Sequence, residues 1–312
     1  MRFLSKNRTE YLKTKREANY FLSIVEDALI KKVKCNERYA GFRYLAIRKN
    51  NFYYYLELGY SKKFLSTANL KILESLIKIK LPVYVVLKSR SLDTTKQEVD
   101  NFIANNDFRK SKLNSGDEIE AYNTGTLGGF VKLKNKKGIY LISNAHVLIG
   151  KKGKLGRAVK NINGEKIGKV FWGVLNERYD VALAKVNKKY PIKESEKAII
   201  SKPTFKNKKI KSIGMYGTEG GNLYSTNALV KLGQDFFKNQ LLIKNLDFIS
   251  GDSGSVIMER KKPNNIIGLY IGGNNEIKVA NNLYNLFIKD TPKIKDSYEK
   301  KITVQFKTFY KP

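Results

Sequence analysis

The chain has 312 residues, 60 Lys and Arg against 28 Asp and Glu, a formal charge of +32, and 42% hydrophobic residues. That length can bury one large or two ordinary cores, and the apolar content argues against disorder despite the charge. One Cys and one His exclude zinc fingers, Cys-rich scaffolds and any intrachain disulfide, and leave His146 as the sole imidazole.

Met1 to Lys6 lacks the apolar stretch of a secretory signal, and the first apolar run, Tyr20 to Ile30, is broken by Glu26 and Asp27. No window is long and uncharged enough for a membrane span. A cytoplasmic setting is the default expectation, where a free Cys35 is at home. From Thr9 to Val33 the apolar residues Phe21, Ile24, Val25, Ala28, Leu29 and Val33 recur at helical spacing. Arg43–Arg48 and Phe52–Leu58 read as β-rich runs joined in a hairpin through Lys49, Asn50 and Asn51. Ser66 or Thr67 can cap a helix carrying Leu70, Leu73, Leu76 and Ile77, which Pro82 stops. Val83–Leu87 follows as a buried strand. Residues 1–116 therefore read as an α+β domain with a docking or regulatory role, or as a plain structural extension. The polar stretch Ser89–Glu120 is the expected linker.

After Tyr122 the texture changes to short apolar runs between Gly- and Asn-containing turns. They are Phe130–Leu133, Ile139–Ser143, Ala158–Ile162, Lys169–Trp172, Val181–Val186 and Ile210–Met215, then Ala228–Leu232, Gln240–Ile243, Ser255–Met258, Ile266–Ile271 and Lys278–Ala280. Regular short strands with little helical periodicity predict an antiparallel barrel or sandwich over residues 117–312.

The charge invites a nucleic-acid reading, because phosphate neutralisation dominates such binding. It is spread evenly, however, with 24 basic and 11 acidic residues up to position 116 and 36 and 17 beyond it. Only 11 of the 60 cations are Arg, the residue favoured for planar contacts to phosphates and bases. The charge reads chiefly as a solvated surface. A surface for nucleic acid, another polyanion or anionic lipid is the minor alternative.

Three places in the β-rich half carry chemistry. Tyr140 to Leu148 is a strand ending in Ser143-Asn144-Ala145-His146; Asp180 opens a second strand after Tyr179; Ser250-Gly251-Asp252-Ser253-Gly254-Ser255 is a turn before an apolar run. Singly, each has a plain reading as a packed His, a turn Asp and good turn chemistry. Together they supply a hydroxyl, an imidazole to take its proton and a carboxylate to orient that imidazole. The order His, Asp, Ser is that of chymotrypsin-type enzymes.

Residues 122–290 resemble a trypsin-like, chymotrypsin-fold serine protease. They are most similar to bacterial trypsin-like peptidases in which a Thr-Gly-Thr-Leu-Gly-Gly strand, here Thr124–Gly129, precedes Ser-Asn-Ala-His. The resemblance implies a mainly β fold, a double antiparallel β-barrel preceded by a small α+β region. It implies His146 as general base and acid, Asp180 as its orienting carboxylate and Ser253 as nucleophile. The backbone N–H groups of Gly251 and Ser253 would form the oxyanion hole. Asp252 resembles the aspartate that pairs with a freshly cut N-terminus in zymogen-derived members. No Ile-Val-Gly-Gly activation site precedes the barrel here, so an internal partner is expected instead. Asp247, six before the serine, would lie at the base of the specificity pocket and favour Lys or Arg, with Gly272 and Gly273 leaving the pocket wall open. The implied substrate is a polypeptide, with no cofactor and no metal. The implied role is a regulated bacterial stress or defence effector whose N-terminal region meets a regulatory partner. The alternatives are a catalytically silent protease-fold module that binds peptides and, further off, a polyanion-binding protein.

Overall fold

The computed structural model describes residues 12–35, 41–61, 85–90 and 112–289, except 135, 152, 191, 193–196, 206–208, 216, 234 and 275, together with strands 293–295, 301–303 and 306–310. The helix expected after Ser66 or Thr67, and most of the stretch Ser89–Glu120, lie outside the described residues.

Helix α1, Lys15–Cys35, starts where Thr14 and Glu17 form a capping box. Thr14 Oγ1 accepts from the Glu17 N–H at 3.2 Å, and Glu17 Oε2 accepts from the Lys13 and Thr14 N–H groups at 2.9 and 3.1 Å. The helix therefore begins later than the expected Thr9. Its buried stripe is Ala18, Leu22, Val25, Leu29 and Val33, while Ile24 of the expected face is exposed. The stripe is set by what it meets. It packs on β1 (Phe42–Lys49) and β2 (Tyr54–Ser61) through Phe42, Leu45, Ile47, Leu56 and Leu58. The two strands form an antiparallel hairpin, turned by Asn50, whose Oδ1 accepts from the N–H groups of Phe52 and Tyr53 at 2.9 and 2.7 Å. β3 (Val85–Arg90) pairs parallel with β2.

Seven strands build the first barrel: β4 (Glu118–Glu120), β5 (Thr124–Thr126), β6 (Gly129–Leu133), β7 (Tyr140–Ser143), β8 (Ala158–Asn161), β9 (Lys166–Leu175) and β10 (Asp180–Val186). Pairings run β4–β8, β8–β9, β9–β10, β10–β7 and β7–β6, and β5 returns to β4. Because β5 runs on into β6, that bent ribbon closes the ring. Between β7 and β8 lies the one-turn helix α2, Ala145–Leu148. The core is apolar: Ile119, Leu127, Leu141, Val147, Val159, Ile167, Val170 and Ala182 are all buried.

β11 (Lys197–Ile200) leads to the second barrel, made of β12 (Lys209–Gly214), β13 (Gly217–Leu232), β14 (Asp235–Lys244), β15 (Val256–Glu259), β16 (Lys262–Gly273) and β17 (Lys278–Asn282). Pairings β12–β13, β13–β14, β14–β17, β17–β16, β16–β15 and β15–β12 form a closed six-stranded ring. A further apolar cluster, with Val131, Ile142, Trp172, Leu183, Val256, Met258, Leu269 and Phe287, lies between the two rings. β18 (Lys293–Lys295) and β19 (Lys301–Thr303) form a hairpin, and β20 (Phe306–Tyr310) pairs with both β6 and β11. The mainly β double barrel expected from the sequence is thus present. Expected runs fall short of the strands in β9, β13, β14 and β16; in β13 and β14 the register shifts between Ser225 and Val230, and polar residues such as Asn222, Thr226 and Asn239 give no apolar signal there.

β1 also pairs antiparallel with β13, Leu45 opposite Leu229, so the N-terminal hairpin continues the sheet of the second barrel. One polar cluster fastens the join. Glu57, 1% exposed, accepts from Tyr44 Oη at 2.8 Å and from Tyr224 Oη at 2.7 and 2.9 Å. The Arg48 guanidinium stands 3.7 Å from Glu57, stacks on the Tyr224 ring with its carbon 3.3 Å from the centroid, and donates to the Tyr224 carbonyl. Removing the carboxylate would take the counter-charge from a half-buried guanidinium and that acceptor from two buried hydroxyls. Glu57→Ala is expected to lower stability by about 3–5 kcal/mol, read by denaturant unfolding. If the N-terminal region were energetically separate, fluorescence of Trp172, which lies between the barrels, would report no change in midpoint.

Candidate active site

The turn before β10 aims Asp180. Asn176 Oδ1 accepts from the N–H groups of Arg178 and Tyr179 at 2.8 and 2.9 Å, and Gln240 Nε2 donates to the Arg178 carbonyl at 2.8 Å. The Asp180 main chain is then held from three sides. Asn144 and Asn281 donate to its carbonyl at 2.7 and 2.9 Å, and Asn281 Oδ1 accepts from its N–H at 2.9 Å.

α2 is too short to satisfy its own first N–H groups, and the Asp180 carboxylate meets one of them. Oδ1 accepts from the His146 N–H at 2.9 Å, and Oδ2 lies 2.5 Å from His146 Nδ1. One carboxylate therefore fixes both the backbone and the ring of His146. Asp180 is 1% exposed and the His146 side chain 33% exposed, so the carboxylate is enclosed while the ring is in part open to solvent. With Nδ1 toward the carboxylate, the neutral ring leaves Nε2 as an acceptor.

Ser253 sits in the turn between β14 and β15. Asp252, buried at 2% exposure, braces this turn: its Oδ1 accepts from the Met215 N–H and its Oδ2 from the Ile249 N–H, both at 2.9 Å. The internal partner expected for Asp252 is thus the backbone. Gly251 has φ +101°, a left-handed conformation that suits glycine, and it leaves the N–H groups of Gly251 and Ser253 without acceptors among the described residues. Ser253 Oγ donates to the Ile271 carbonyl at 2.8 Å. It makes no hydrogen bond to His146.

The turn and α2 meet on β5. The Thr126 N–H donates to the Ser253 carbonyl at 2.8 Å, and Thr126 Oγ1 donates to the Gly251 carbonyl at 2.8 Å. The N–H groups of Tyr122 and Asn123, just before β5, donate to the Val147 carbonyl at 2.9 and 3.0 Å. A Cβ at Gly125 would lie 2.5 Å from Val147 Cγ2 and 2.9 Å from the Ser253 carbonyl oxygen. The glycine is required because the His-bearing helix and the Ser-bearing turn crowd one point.

Asp247, the expected pocket acid, is exposed. Its neighbours Leu246 and Phe248 take the buried positions, and an ionised carboxylate between them is cheaper in water than under protein. Gly272 and Gly273 end β16 opposite Val279 and Lys278, and a Cβ on Gly272 would meet nothing within 4 Å. Sequence reasoning missed Asn281, Asn144 as a ligand of the Asp180 carbonyl, Thr126 and the Ile271 carbonyl. Asparagines and backbone acceptors carry no spacing signal; only the Thr-Gly-Thr strand had one. Among the described residues no three His, Cys, Asp or Glu side chains gather as a metal site needs, and no helix is long and apolar enough to cross a membrane.

α1 reaches the turn before Asp180. Lys238 bonds Asp27 at 2.6 Å and lies 3.7 Å from Glu177, Lys34 lies 3.5 Å from Glu177, and the Lys238 N–H donates to the Glu177 carbonyl at 2.5 Å. Glu26 sits on the buried face of the helix, and its Oε1 has no hydrogen-bond partner. Burial first, then Asp27, push its carboxyl up to about 7 against the pull of Lys238 and Arg178.

The chain is similar in structure to several bacterial proteases. Against protease A of Thermobifida fusca the identity is 13% and the TM-score 0.44, over 54% of this chain and 90% of that one. For the Nocardiopsis protease the figures are 15% and 0.44, over 55% and 93%; for the Cellulomonas bogoriensis chymotrypsin, 13% and 0.43, over 55% and 92%. No family model matches the sequence, and neither does any curated protein.

Two outcomes follow from this geometry. Gly125→Ala forces an overpacked contact and is expected to cost about 1–3 kcal/mol, with a larger proportional loss of reactivity at Ser253 than at a surface Lys, read by denaturation and probe labelling together. A carboxyl raised on folding contributes stability below its unfolded value and loses it as pH rises. Glu26 should therefore destabilise the fold progressively from its ordinary 4.5 to about 7. Glu26→Gln should raise stability by about 3 kcal/mol at pH 8 and by nothing at pH 4, measured by thermal melts at both.

Proposed function

We propose that this chain is a serine endopeptidase working through His146, Asp180 and Ser253. The observation that carries the reading is the Asp180 carboxylate, which holds both the Nδ1 and the main-chain N–H of His146. In this reading His146 Nε2 takes the Ser253 proton as Oγ attacks the scissile carbonyl, and Asp180 stabilises the imidazolium that forms. The developing oxyanion accepts from the free N–H groups of Gly251 and Ser253. Collapse of the intermediate breaks the C–N bond, His146 returns the proton to the leaving amine, and the acyl group stays on Ser253. Water, activated by the same imidazole, then releases it as a carboxylic acid. Attack requires the hydroxyl to leave the Ile271 carbonyl and donate to His146. A regulatory role for residues 1–116 draws support from the contacts of α1 with Glu177, three residues before Asp180. The preference for Lys or Arg drawn from the sequence rests on Asp247 alone, and its exposure weakens that support.

The second reading is a silent peptide-binding module, and one observation favours it: Ser253 bonds Ile271, not His146. A fluorophosphonate probe separates the two. Wild type should be labelled, Ser253→Ala not at all, and His146→Ala slower by about 10³-fold or more. Equal labelling of all three proteins, or none of wild type together with peptide binding, would sink the endopeptidase.

A further inference from the structure

Three carbonyls of the turn that delivers Asp180 are met by donors of the second barrel. The Lys238 N–H meets that of Glu177 at 2.5 Å, Gln240 Nε2 that of Arg178 at 2.8 Å, and Asn281 Nδ2 that of Asp180 at 2.9 Å. Lys238 and Gln240 lie on β14 and Asn281 on β17. These strands pair antiparallel, Leu241 opposite Ala280 and Leu242 opposite Val279, so the same register carried one step on sets Gln240 level with Asn281. A bulge interrupts β14 just before this point. Between the pairs Ala228–Gln240 and Val230–Phe237, one residue of β13 faces two of β14. Asn239 there takes φ +60°, which asparagine tolerates better than most side chains.

Both amides are 0% exposed, and both are used as donors. Gln240 Nε2 also donates to the Lys238 carbonyl at 2.6 Å, while its Oε1 has no partner among the described residues. A buried oxygen left so costs free energy that an apolar side chain of the same shape would not, so packing does not account for this glutamine. Asn281 spends both ends of its amide on one residue. Oδ1 accepts from the Asp180 N–H at 2.9 Å while Nδ2 donates to the Asp180 carbonyl, which Asn144 of the first barrel shares. The peptide groups on either side of the Asp180 Cα are thus held, and the direction of its Cα–Cβ bond with them. That direction matters because the carboxylate has two bonds to keep, to the N–H and to Nδ1 of His146.

We propose that Asn281 and Gln240 are positioning residues: two amides of the second barrel set the Asp180 carboxylate against His146 in the first. They act through Asp180 and touch no reacting atom. The weight of this clamp in catalysis rests on the endopeptidase reading above; its hold on the imidazole does not. The His146–Asp180 pair is then complete only when the two barrels are docked.

The chain's single His makes the test unambiguous, since every imidazole signal belongs to His146. Nitrogen shifts of its neutral ring, read through the carbon-bound ring protons, report which nitrogen carries the proton. Wild type should carry it on Nδ1. Asn281→Leu should give a mixture of tautomers and slow fluorophosphonate labelling of Ser253 by about 10²-fold, and Gln240→Met by about tenfold. Glu57→Ala, destabilised at the join of hairpin and barrel, should leave tautomer and rate as in wild type. Wild-type tautomer and rate in Asn281→Leu, or an equal change in Glu57→Ala, overturns the proposal. Should Asn281→Leu not fold, Gln240→Met decides, and an unmoved tautomer and rate there overturns it. If wild type itself resists the reagent, the endopeptidase reading fails and the clamp is judged by the tautomer alone.

Discussion

His146 and Ser253 come from different barrels, and what brings them to one place is backbone contact through β5. Thr126 binds the main chain of the Ser253 turn with both its N–H and its hydroxyl, while Tyr122 and Asn123 hold the end of α2. Ser143 Oγ, from the strand before α2, donates to the Thr126 carbonyl at 2.8 Å. Two segments far apart in sequence, the β7–α2 stretch and the Ser253 turn, thus share one short strand. Gly254 shows how little room is left: at φ +105° its Cβ would collide with Ser143 Oγ and the Thr126 carbonyl. With glycines on both sides, the closest neighbours include the carbonyls of Ser253 and Thr126, which cannot swing aside as side chains do. The apolar cluster between the barrels supplies the force that presses the halves together, and β5 sets where they stop.

Much of this is legible in the residues. The short apolar runs that mark β6, β7, β10, β15 and β16 are visible because each strand is buried over a continuous stretch. His146 and Asp180 stand out because their chemistry is committed and because no second His competes. What is not legible is held by groups without a type-specific signal. β4, β5 and β11 are three or four residues long, too short for a period to register. The resting acceptor of Ser253 is a carbonyl, which every residue owns. Asn281 anchors Asp180 from a strand a hundred positions away, and a lone Asn on a strand reads as nothing in particular. Lys278, buried on β17, is concealed by the composition itself: among so many lysines, one that is buried looks like the rest.

The distribution of charge acquires a pattern once burial is known. Among the described residues most cations lie on the surface, where isolated pairs such as Lys151 with Asp235 contribute little. The exceptions are informative. Arg48 is spent on a buried Glu and a Tyr ring in the join between hairpin and barrel, and Lys278 on the Phe248 carbonyl, in the segment that leads into Ser253. Glu26 is the acidic counterpart, a carboxyl placed on an apolar stripe where its ionised form is disfavoured. Arg48 and Lys278 fix positions that apolar packing alone would leave free to slide.

The pairing of β1 with β13 has a consequence for how the chain acquires its shape. β1 is made early and its partner strand late, so its inner edge must wait through the synthesis of the whole first barrel. Contacts of such long sequence separation form slowly, since the loop between them has to close first. Until then the Phe42–Lys49 edge, rich in aromatic and aliphatic residues, is an open ladder of the sort that invites other chains. The abundance of lysine around it is then more than a solvated coat: mutual repulsion between nascent chains would keep that edge vacant for the strand it is meant to meet.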